Sequence, residues 1–156
     1  MANSNGTQHT RPVWYRLAQP GDHLRALWGQ GVDRTRWVAC GRTWDAVAIT
    51  PMTLGLQALV AMRVGPRRGY PVLADHLRDQ LYVLVPPGTG SAAAGLPGVR
   101  VLGAGFQLLM PTTEHGTLVA HWVSPPSSTS SPLVRPDRLA HHLRALARDS
   151  QKAAVS

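Results

Sequence analysis

The chain has 156 residues, 44% of them hydrophobic, and a formal net charge of +8 from sixteen Lys and Arg against eight Asp and Glu. This length and composition predict one globular domain with its own core. No apolar run approaches the roughly 18 residues that cross a bilayer, and residues 1–12 lack the apolar segment of a secretory signal. We therefore expect a soluble cytoplasmic protein that does not bind membranes, with a disordered tail at residues 1–12 and a single domain at residues 13–149.

The positive charge favours attraction to polyanions such as nucleic acid. Lys152 is the only lysine, however, and a GC-rich genome produces the same bias toward arginine without any partner. The single cysteine, Cys40, has no internal disulfide partner and stands in an apolar run, where a small buried thiol is common. Composition thus makes nucleic acid a candidate partner and excludes an internal disulfide.

The first elements are predicted as a short strand at residues 13–17 and a helix that begins near Gly21. Leu24, Leu27 and Trp28 recur at helical spacing, and glycines at positions 29 and 31 end the helix. Four of the five tryptophans lie in the first third of the chain. They are interpreted as packing in the core or under a lid, or as base-stacking groups if they are exposed beside arginines.

Residues 37–62 read WVACGRTWDAVAITPMTLGLQALVAM. The run 44–49 has the β-branched and aromatic content of a buried strand, and it contains one carboxylate, Asp45. Thr50 and Pro51 are typical of an N-cap and a first helical position. The helix that follows has an apolar face made by Leu54, Ala58, Leu59 and Met62. A strand that leads directly into a helix predicts an α/β sandwich.

The middle of the chain alternates loops and strands. A basic loop, RVGPRRG, covers residues 63–69, and residues 70–74 form a strand that Pro71 assigns to a sheet edge. Residues 75–79 are a polar connection, residues 80–85 a strand, and residues 86–98 a loop rich in Gly, Ala and Pro. The sequence GTGS at residues 88–91 lacks the lysine of a phosphate-binding P-loop.

The last part of the chain is predicted to contain three strands and a helix. Strands at 99–102 and 106–110 flank GAG at residues 103–105, a spacing that favours a hairpin. In the strand at 118–123, alternation places His121 and Trp122 on opposite faces. Residues 124–132 are a Ser/Pro linker, and the helix that starts at Pro136 frays over residues 150–156. The order of elements predicts an α/β (α+β) domain with a mixed, mostly antiparallel sheet and helices on one face.

Three segments carry a resemblance to a known family: GRTWDAVAIT with its following helix, DQLYVLVPPG, and VRVLGAGFQLLMPTTEHGTLVAHWV. In this order they resemble the N-terminal domain of bifunctional DNA primase/polymerase proteins, the prim-pol type of the archaeo-eukaryotic primase superfamily, in its actinobacterial form. The resemblance spans residues 37–147 and implies the fold of that family. It also implies nucleotidyl transfer, in which carboxylates hold two divalent metals.

The metal-binding residues of that family match this chain only in part. Asp45 matches the first acid of an acid-x-acid pair whose members point to one face of a strand, but Val47 stands at the second position. Arg100 or its neighbours replace the acid of a later strand, and His76 lacks the family's Ser-Gly-x-x-His frame. One carboxylate of three therefore matches, which implies a degenerate and non-catalytic relative.

The remaining candidate metal ligands are carboxylates. Asp45 could bind Mg²⁺ or Mn²⁺ with Asp75 or Asp79, and either metal is expected only if the domain is catalytic. Hydrogen bonding of Asp45 to amides of the adjoining turn is the alternative. For Asp75 and Asp79 the alternative is solvated loop polarity, and no cofactor is then expected.

The densest basic cluster comprises Arg63, Arg67 and Arg68, with Arg42 and Arg100 as possible neighbours. Phosphate contacts need only charge and reach, so these arginines are predicted to bind nucleic acid or nucleotide. A solvated loop without a ligand is the alternative.

Three functions are consistent with these observations. The first is a non-catalytic prim-pol-like domain that binds nucleic acid, DNA before RNA, or a nucleotide through arginines in replication, plasmid maintenance or regulation. The second is an active metal-dependent nucleotidyltransferase. The third is a protein-interaction module that acts as a homodimer or with another protein.

Overall fold

A computed structural model describes residues 13–30, 35–126 and 132–155. The helices within these ranges are α1 Val13–Ala18, α2 Asp22–Gly29, α3 Met52–Ala61 and α4 Pro136–Val155. The strands are β1 Thr35–Ala39, β2 Asp45–Ile49, β3 Val72–Asp75, β4 Gln80–Val85, β5 Val99–Leu102, β6 Gln107–Pro111 and β7 His121–Ser124. Short 3₁₀ turns occur at Pro66–Arg68 and Gly90–Ala93. None of the helices in the described ranges has the length and apolar character needed to cross a membrane.

Five strands form one sheet in the order β5-β2-β4-β3-β7, and β1 pairs with β6 in a separate ribbon. All strand pairs in the described part of the chain are antiparallel. The predicted α+β class is confirmed, and its sheet is antiparallel rather than mixed. This topology places β4 at the centre of the five-stranded sheet, where other layers pack against both of its faces.

One face of the sheet packs against helices. Side chains alternate along β2 and β4, so Val47, Ile49, Leu81 and Val83 point to the same side and are fully buried. The helices α1, α3 and α4 cover them with buried side chains that include Trp14, Leu56, Leu59, Leu139 and Leu143. Truncating one such core side chain to alanine costs about 2–5 kcal/mol. The helices thus lie on one face, as predicted.

The opposite face is covered in part by the ribbon of β1 and β6. Leu108 of β6 packs with Ala46, Leu73 and Leu84 of the sheet, and Cys40 joins the same buried cluster. The ribbon therefore forms a third layer, which leaves the uncovered parts of this sheet face open as grooves.

The hairpin predicted around residues 103–105 is wrong. β5 pairs with β2, whereas β6 crosses to pair with β1. The crossing is held by a hydrogen bond from Cys40 N to Phe106 O at 2.9 Å. It also needs a glycine at Gly41, whose φ is +94° and whose added Cβ would lie 2.7 Å from Ala104 Cα. The glycines at residues 103 and 105 favour a turn locally. The strand β6 nevertheless pairs with β1, which is distant in the sequence, instead of with β5.

The strand predicted at residues 13–17 is also wrong, because these residues form α1. Trp14 and Ala18 lie one helical turn apart and are both buried against the core. The indole Nε1 of Trp14 donates a hydrogen bond to Val64 O at 2.7 Å. Burial of this tryptophan favours the helix over the intrinsic β-propensity of a Val-Trp-Tyr segment.

Two proline-based predictions need correction. β3 is not an edge strand, because it lies between β4 and β7; Pro71 precedes the strand, where its missing N–H removes no ladder bond. The N-cap of α3 is Pro51 and not Thr50. The amide of Met52, at the start of α3, instead donates a hydrogen bond to the carboxylate Oδ1 of Asp79 at 3.2 Å.

The ends of several elements also differ from the predictions. β7 begins only at His121, and α4 continues to Val155, past the predicted end near Ser150. The predicted tail at residues 1–12 and positions 127–131 of the predicted Ser/Pro linker lie outside the described residues.

Candidate functional site

A polar row crosses the ribbon side of the sheet. Ala48 pairs with Arg100 of β5 on one side and with Tyr82 of β4 on the other. Paired residues point to the same face, so the arginine and the tyrosine flank a methyl group that blocks neither of them. Two strand spacings, or roughly 10 Å, separate their backbones. In this row, opposite the helix-packed face, Arg100 is exposed and Tyr82 is half-buried, whereas Ala48 is buried.

A groove of about 530 Å³ opens over this row. One wall is the ribbon and the other is the sheet with its adjoining loops. The lining residues are Trp37, Asp75, Arg78, Gln80, Tyr82, Arg100, Leu102, Phe106, Gln107, Leu108, Leu109 and Val119. Its size is within the range of pockets that hold small ligands.

Arg78 enters the groove from the turn between β3 and β4. Asp75 is buried, and its Oδ1 accepts hydrogen bonds from the amides of Leu77 and Arg78, each at 3.0 Å. The Arg78 guanidinium donates to Asp75 Oδ2 at 2.9 Å, while 68% of the Arg78 side chain stays exposed. The turn therefore holds one end of the guanidinium and leaves the rest free to meet an anion.

Tyr82 is a neutral hydrogen-bonding ring at the base of the groove. Its hydroxyl donates to Gln80 Oε1 at 2.8 Å. Burial and, secondarily, the charge of Asp75 raise the pKa of Tyr82, while Arg100 and Arg78 oppose this rise. Both arginines line the same groove as Tyr82.

Two aromatic rings of the ribbon are unusually open. Trp37 is 64% exposed and Phe106 is 52% exposed, although both are large apolar side chains. Exposed rings beside guanidinium groups are the arrangement that stacks with unpaired bases. Trp37 therefore fits the stacking interpretation made from the sequence, whereas Trp14 fits the core interpretation.

The five arginines predicted to bind phosphate are not brought together. Arg100 lines the groove. Arg42 is exposed in the turn between β1 and β2, and Arg63, Arg67 and Arg68 are exposed in the connection between α3 and β3. None of these four lines the groove. The structure supplies Arg78 as the second groove arginine, a residue that sequence reasoning did not single out.

The three candidate metal-binding carboxylates are also apart. Asp45 pairs with Val85 and Asp75 pairs with Gln80, so they lie at opposite ends of β4. Asp79 is occupied at the start of α3 by Met52 N. The part of the chain that the structure describes contains no group of three His, Cys, Asp or Glu residues arranged to hold a metal ion. The predicted site is thus not assembled.

Asp45 instead organises a turn. Its Oδ2 accepts hydrogen bonds from the amides of Gly88 at 3.1 Å and Gly90 at 3.2 Å. These amides belong to the loop after β4 and not to the adjoining turn named from the sequence. Val47, two residues further along β2, points to the same helix-packed face and is fully buried. Both residues therefore lie on the face opposite the groove.

One polar cluster was not predicted as a cluster. His76 and His121 approach through their ring nitrogens at 3.0 Å, beneath Trp28 of α2. Strand alternation did predict that His121 and Trp122 face opposite sides, and the buried member is His121. The partner His76 could not be found from sequence, because it comes from a distant turn.

Comparison of the chain with protein families, with curated proteins and with solved structures finds no match to any of them. The geometry of the groove is therefore the basis for the function proposed below.

Proposed function

We propose that the groove lined by Arg78, Tyr82, Arg100, Trp37 and Phe106 binds single-stranded nucleic acid or a free nucleotide. The domain would act as a non-catalytic, prim-pol-like binding module in replication, plasmid maintenance or regulation, with DNA as the favoured polymer. The resemblance of residues 37–147 to prim-pol domains supports the class of ligand. The position of the site rests on the groove geometry alone, because Asp45 and Val47 lie on the opposite face of the sheet.

The observation that carries the proposal is that Arg78, Tyr82 and Arg100 line the same groove. Arg100 has no ion-pair partner in the described ranges, where the salt bridges are Arg78–Asp75 and Arg135–Asp137. An unpaired guanidinium beside a neutral phenol attracts phosphate without first breaking an internal bond. The open faces of Trp37 and Phe106 then supply stacking surfaces for bases.

The net charge of +8 adds a long-range attraction to any polyanion. That attraction depends on salt and by itself favours the duplex, whose charge density is higher, with a salt slope of about 0.9 per phosphate contact against about 0.7 for a single strand. Stacking requires unpaired bases. If the groove stacks with bases, the protein should bind a single strand more tightly than a duplex with the same number of phosphates. Electrostatic attraction alone does not produce this preference.

The test is fluorescence anisotropy with a labelled single-stranded oligonucleotide and its duplex, titrated at two salt concentrations. We expect tighter binding of the single strand. Arg100→Ala should weaken it by about tenfold, and the slope of log K against log salt should fall by about 0.7, the value for one lost phosphate contact. Arg144→Ala is the matched control, because Arg144 is exposed on α4, a helix that covers the opposite face of the sheet from the groove.

The outcome against the proposal is equal weakening by Arg100→Ala and Arg144→Ala, since the arginines would then contribute only net charge. A combined substitution of Arg63, Arg67 and Arg68 to alanine distinguishes the loop from the groove. If the loop is the binding site, this variant loses the preference for single strands while Arg100→Ala keeps it.

A protein-interaction surface is a second candidate function, favoured by one observation. Trp37, Phe106 and Leu77 are all more than half exposed, Leu77 at 67%, and open apolar groups often mark contact surfaces. Light scattering over a range of protein concentrations tests this alternative. A dimer that dissociates in Trp37→Ser would favour it, and a monomer at all concentrations would count against it.

A further inference from the structure

Another groove lies on the ribbon side of the sheet, toward the opposite end of β4. Its volume is about 400 Å³. Its lining includes Arg36, Trp44, Trp122 and the prolines Pro71, Pro111 and Pro126. It shares no lining residue with the groove around Tyr82, so a ligand in one groove does not occupy the other.

Two tryptophans in this groove have free hydrogen-bond donors. Trp14 donates its indole N–H to Val64 O and Trp28 donates to Gly116 O. Trp44 and Trp122 are half-buried, and neither indole N–H meets an acceptor among the described residues. A tryptophan with an apolar body and an unused N–H at a surface is typical of a binding site.

The other lining groups are one cation, the hydroxyl of Thr43, three prolines and apolar leucine and methionine side chains. Pro71, Pro111 and Pro126 have no backbone N–H to offer. Arg36 is exposed, and it takes part in neither of the ion pairs formed by the described residues. The groove thus presents flat apolar rings, indole donors and a single unneutralised positive charge.

The spacing of the two indoles fits an extended ligand. Trp44 leads into β2 and Trp122 lies on β7, and β4 and β3 stand between these strands. Three inter-strand spacings correspond to roughly 14 Å across the sheet, and Trp44 precedes Ala48, which lies in the row of Trp122, by four residues, or roughly 13 Å along the strands. The two backbones are therefore roughly 19 Å apart, and a polyproline II segment that rises about 3.1 Å per residue covers this distance with about six residues.

We propose that this groove binds a proline-rich peptide of a partner protein in polyproline II conformation, with an acidic side chain of the peptide against Arg36. A polyproline II segment has no internal hydrogen bonds, and its carbonyls accept bonds from donors such as an indole N–H. Its prolines carry no N–H, so the ligand has few donors that would need acceptors in the groove. The carboxylate complements the positive charge of Arg36.

The experiment measures binding of a fluorescein-labelled synthetic peptide of eight residues, six of them proline and one glutamate, by anisotropy. Two companion peptides replace the glutamate with glutamine or all the prolines with alanine. We expect saturable binding of the first peptide, weaker binding of the glutamine peptide, and none of the alanine peptide below 1 mM, which is roughly the weakest affinity of interest.

Three variants locate the contacts. Trp122→Phe and Trp44→Phe keep an aromatic ring but remove the indole donor, and each should weaken binding about fivefold, which corresponds to one lost hydrogen bond. Arg36→Gln should weaken the glutamate peptide to the level of the glutamine peptide. Arg42→Gln removes the same charge from an exposed residue outside the groove and should leave binding unchanged.

The proposal is overturned if no peptide binds, if the alanine peptide binds as tightly as the proline peptide, or if both Trp→Phe variants bind like the wild type. Circular dichroism and the urea midpoint of each variant establish folding, and Arg36→Gln changes an exposed side chain that carries no structural bond. If the peptide no longer binds when the protein self-associates, the groove binds a second copy of this chain. That result would also overturn the proposal.

Discussion

His76 Nε2 and His121 Nδ1 lie 3.0 Å apart, so one ring donates its proton to the lone pair of the other. Trp28 packs 5.5 Å from the centres of both rings and donates its indole N–H to Gly116 O at 3.1 Å. These contacts join α2 to the turn after β3 and to the loop before β7. The attachment requires at least one neutral imidazole, because two imidazolium rings are both donors.

This pair should make stability depend on pH. Burial lowers the pKa of His76, against the charges of Asp75 and Asp79, and burial lowers the pKa of His121 to about 4, aided by the charges of His76 and His115. A histidine in the unfolded chain titrates near 6.5, so the unfolded state binds more protons below that pH. The contribution is complete above about pH 7 and is lost as the pH falls from about 6.5 toward 4, with a total on the order of 2 kcal/mol.

Urea denaturation at several pH values between these limits measures the effect. His121→Phe should remove most of the pH dependence, because a phenyl ring of similar size takes no proton. His141→Gln on the exposed side of α4 is the control and should keep the wild-type dependence. A steep pH dependence that persists in His121→Phe would assign it to other groups.

Asp45 should matter for stability and not for binding. Asp45→Ala leaves the amides of Gly88 and Gly90 without their acceptor, and we expect a loss of about 2–3 kcal/mol in the free energy of unfolding. Asp45→Asn should cost less, because its carbonyl still accepts both bonds while the buried charge disappears. Asp149→Ala, at an exposed position of α4, is a control expected to stay within about 0.5 kcal/mol. A fall in oligonucleotide affinity in the folded Asp45→Asn variant would contradict this assignment.

Gly98 and Gly95 offer a matched pair in the loop between β4 and β5. Both have positive φ, +73° and +80°, but a Cβ on Gly98 would lie 2.2 Å from Thr50 O whereas Gly95 has open space. Gly95→Ala should cost about 1 kcal/mol for the left-handed backbone alone. Gly98→Ala adds a backbone clash and should cost more than about 3 kcal/mol. Equal urea midpoints for the two variants would show that the contact with Thr50 relaxes freely.

Cys40 is expected to be unreactive in the folded protein. Burial, and then the charge of Asp45, raises the pKa of Cys40 to about 11. The thiolate is the reactive form, so at pH 8 only about one thiol in a thousand is ready to react. Disulfide exchange with an aromatic reagent should be at least about a hundredfold slower in native protein than in denaturant. Comparable rates in both states would mean that this thiol is exposed.

The fold was predictable where the local sequence and the tertiary environment agree. Residues 80–85 form a strand because alternating Leu81 and Val83 fill the helix-packed face, and the last helix follows from its leucines at helical spacing. The error at Trp14 arose because burial against Val64 decides the conformation there. At residues 103–105, two glycines signal a turn locally, but the pairing partner of β6 lies on the other side of the sheet.

The groove was less predictable than the fold. Arg100 was chosen from the sequence, but Arg78, Tyr82 and Trp37 meet it only through pairings between distant strands. One usable signal was present in β4, where Gln80 and Tyr82 alternate with buried leucine and valine and so mark a polar face. The sequence shows that Asp75 and Asp79 are close together in the chain, but it does not show their distance from Asp45. In the structure, Asp45 lies on β2 beside Val85, at the other end of β4 from Asp75.

The two strands of the ribbon are far apart in the sequence, because β2, β3, β4 and β5 all lie between β1 and β6. Pairing β1 with β6 therefore costs loop-closure entropy, and the ribbon becomes favourable only after the sheet has brought the ends of this segment together. The ribbon should therefore open independently of the sheet, as a separate and less stable cooperative unit. Amide hydrogen exchange is expected to be faster in β1 and β6 than in β2 and β4. Because the ribbon forms one wall of the groove around Tyr82, this local opening would admit a long polymer from the side, without threading from an end.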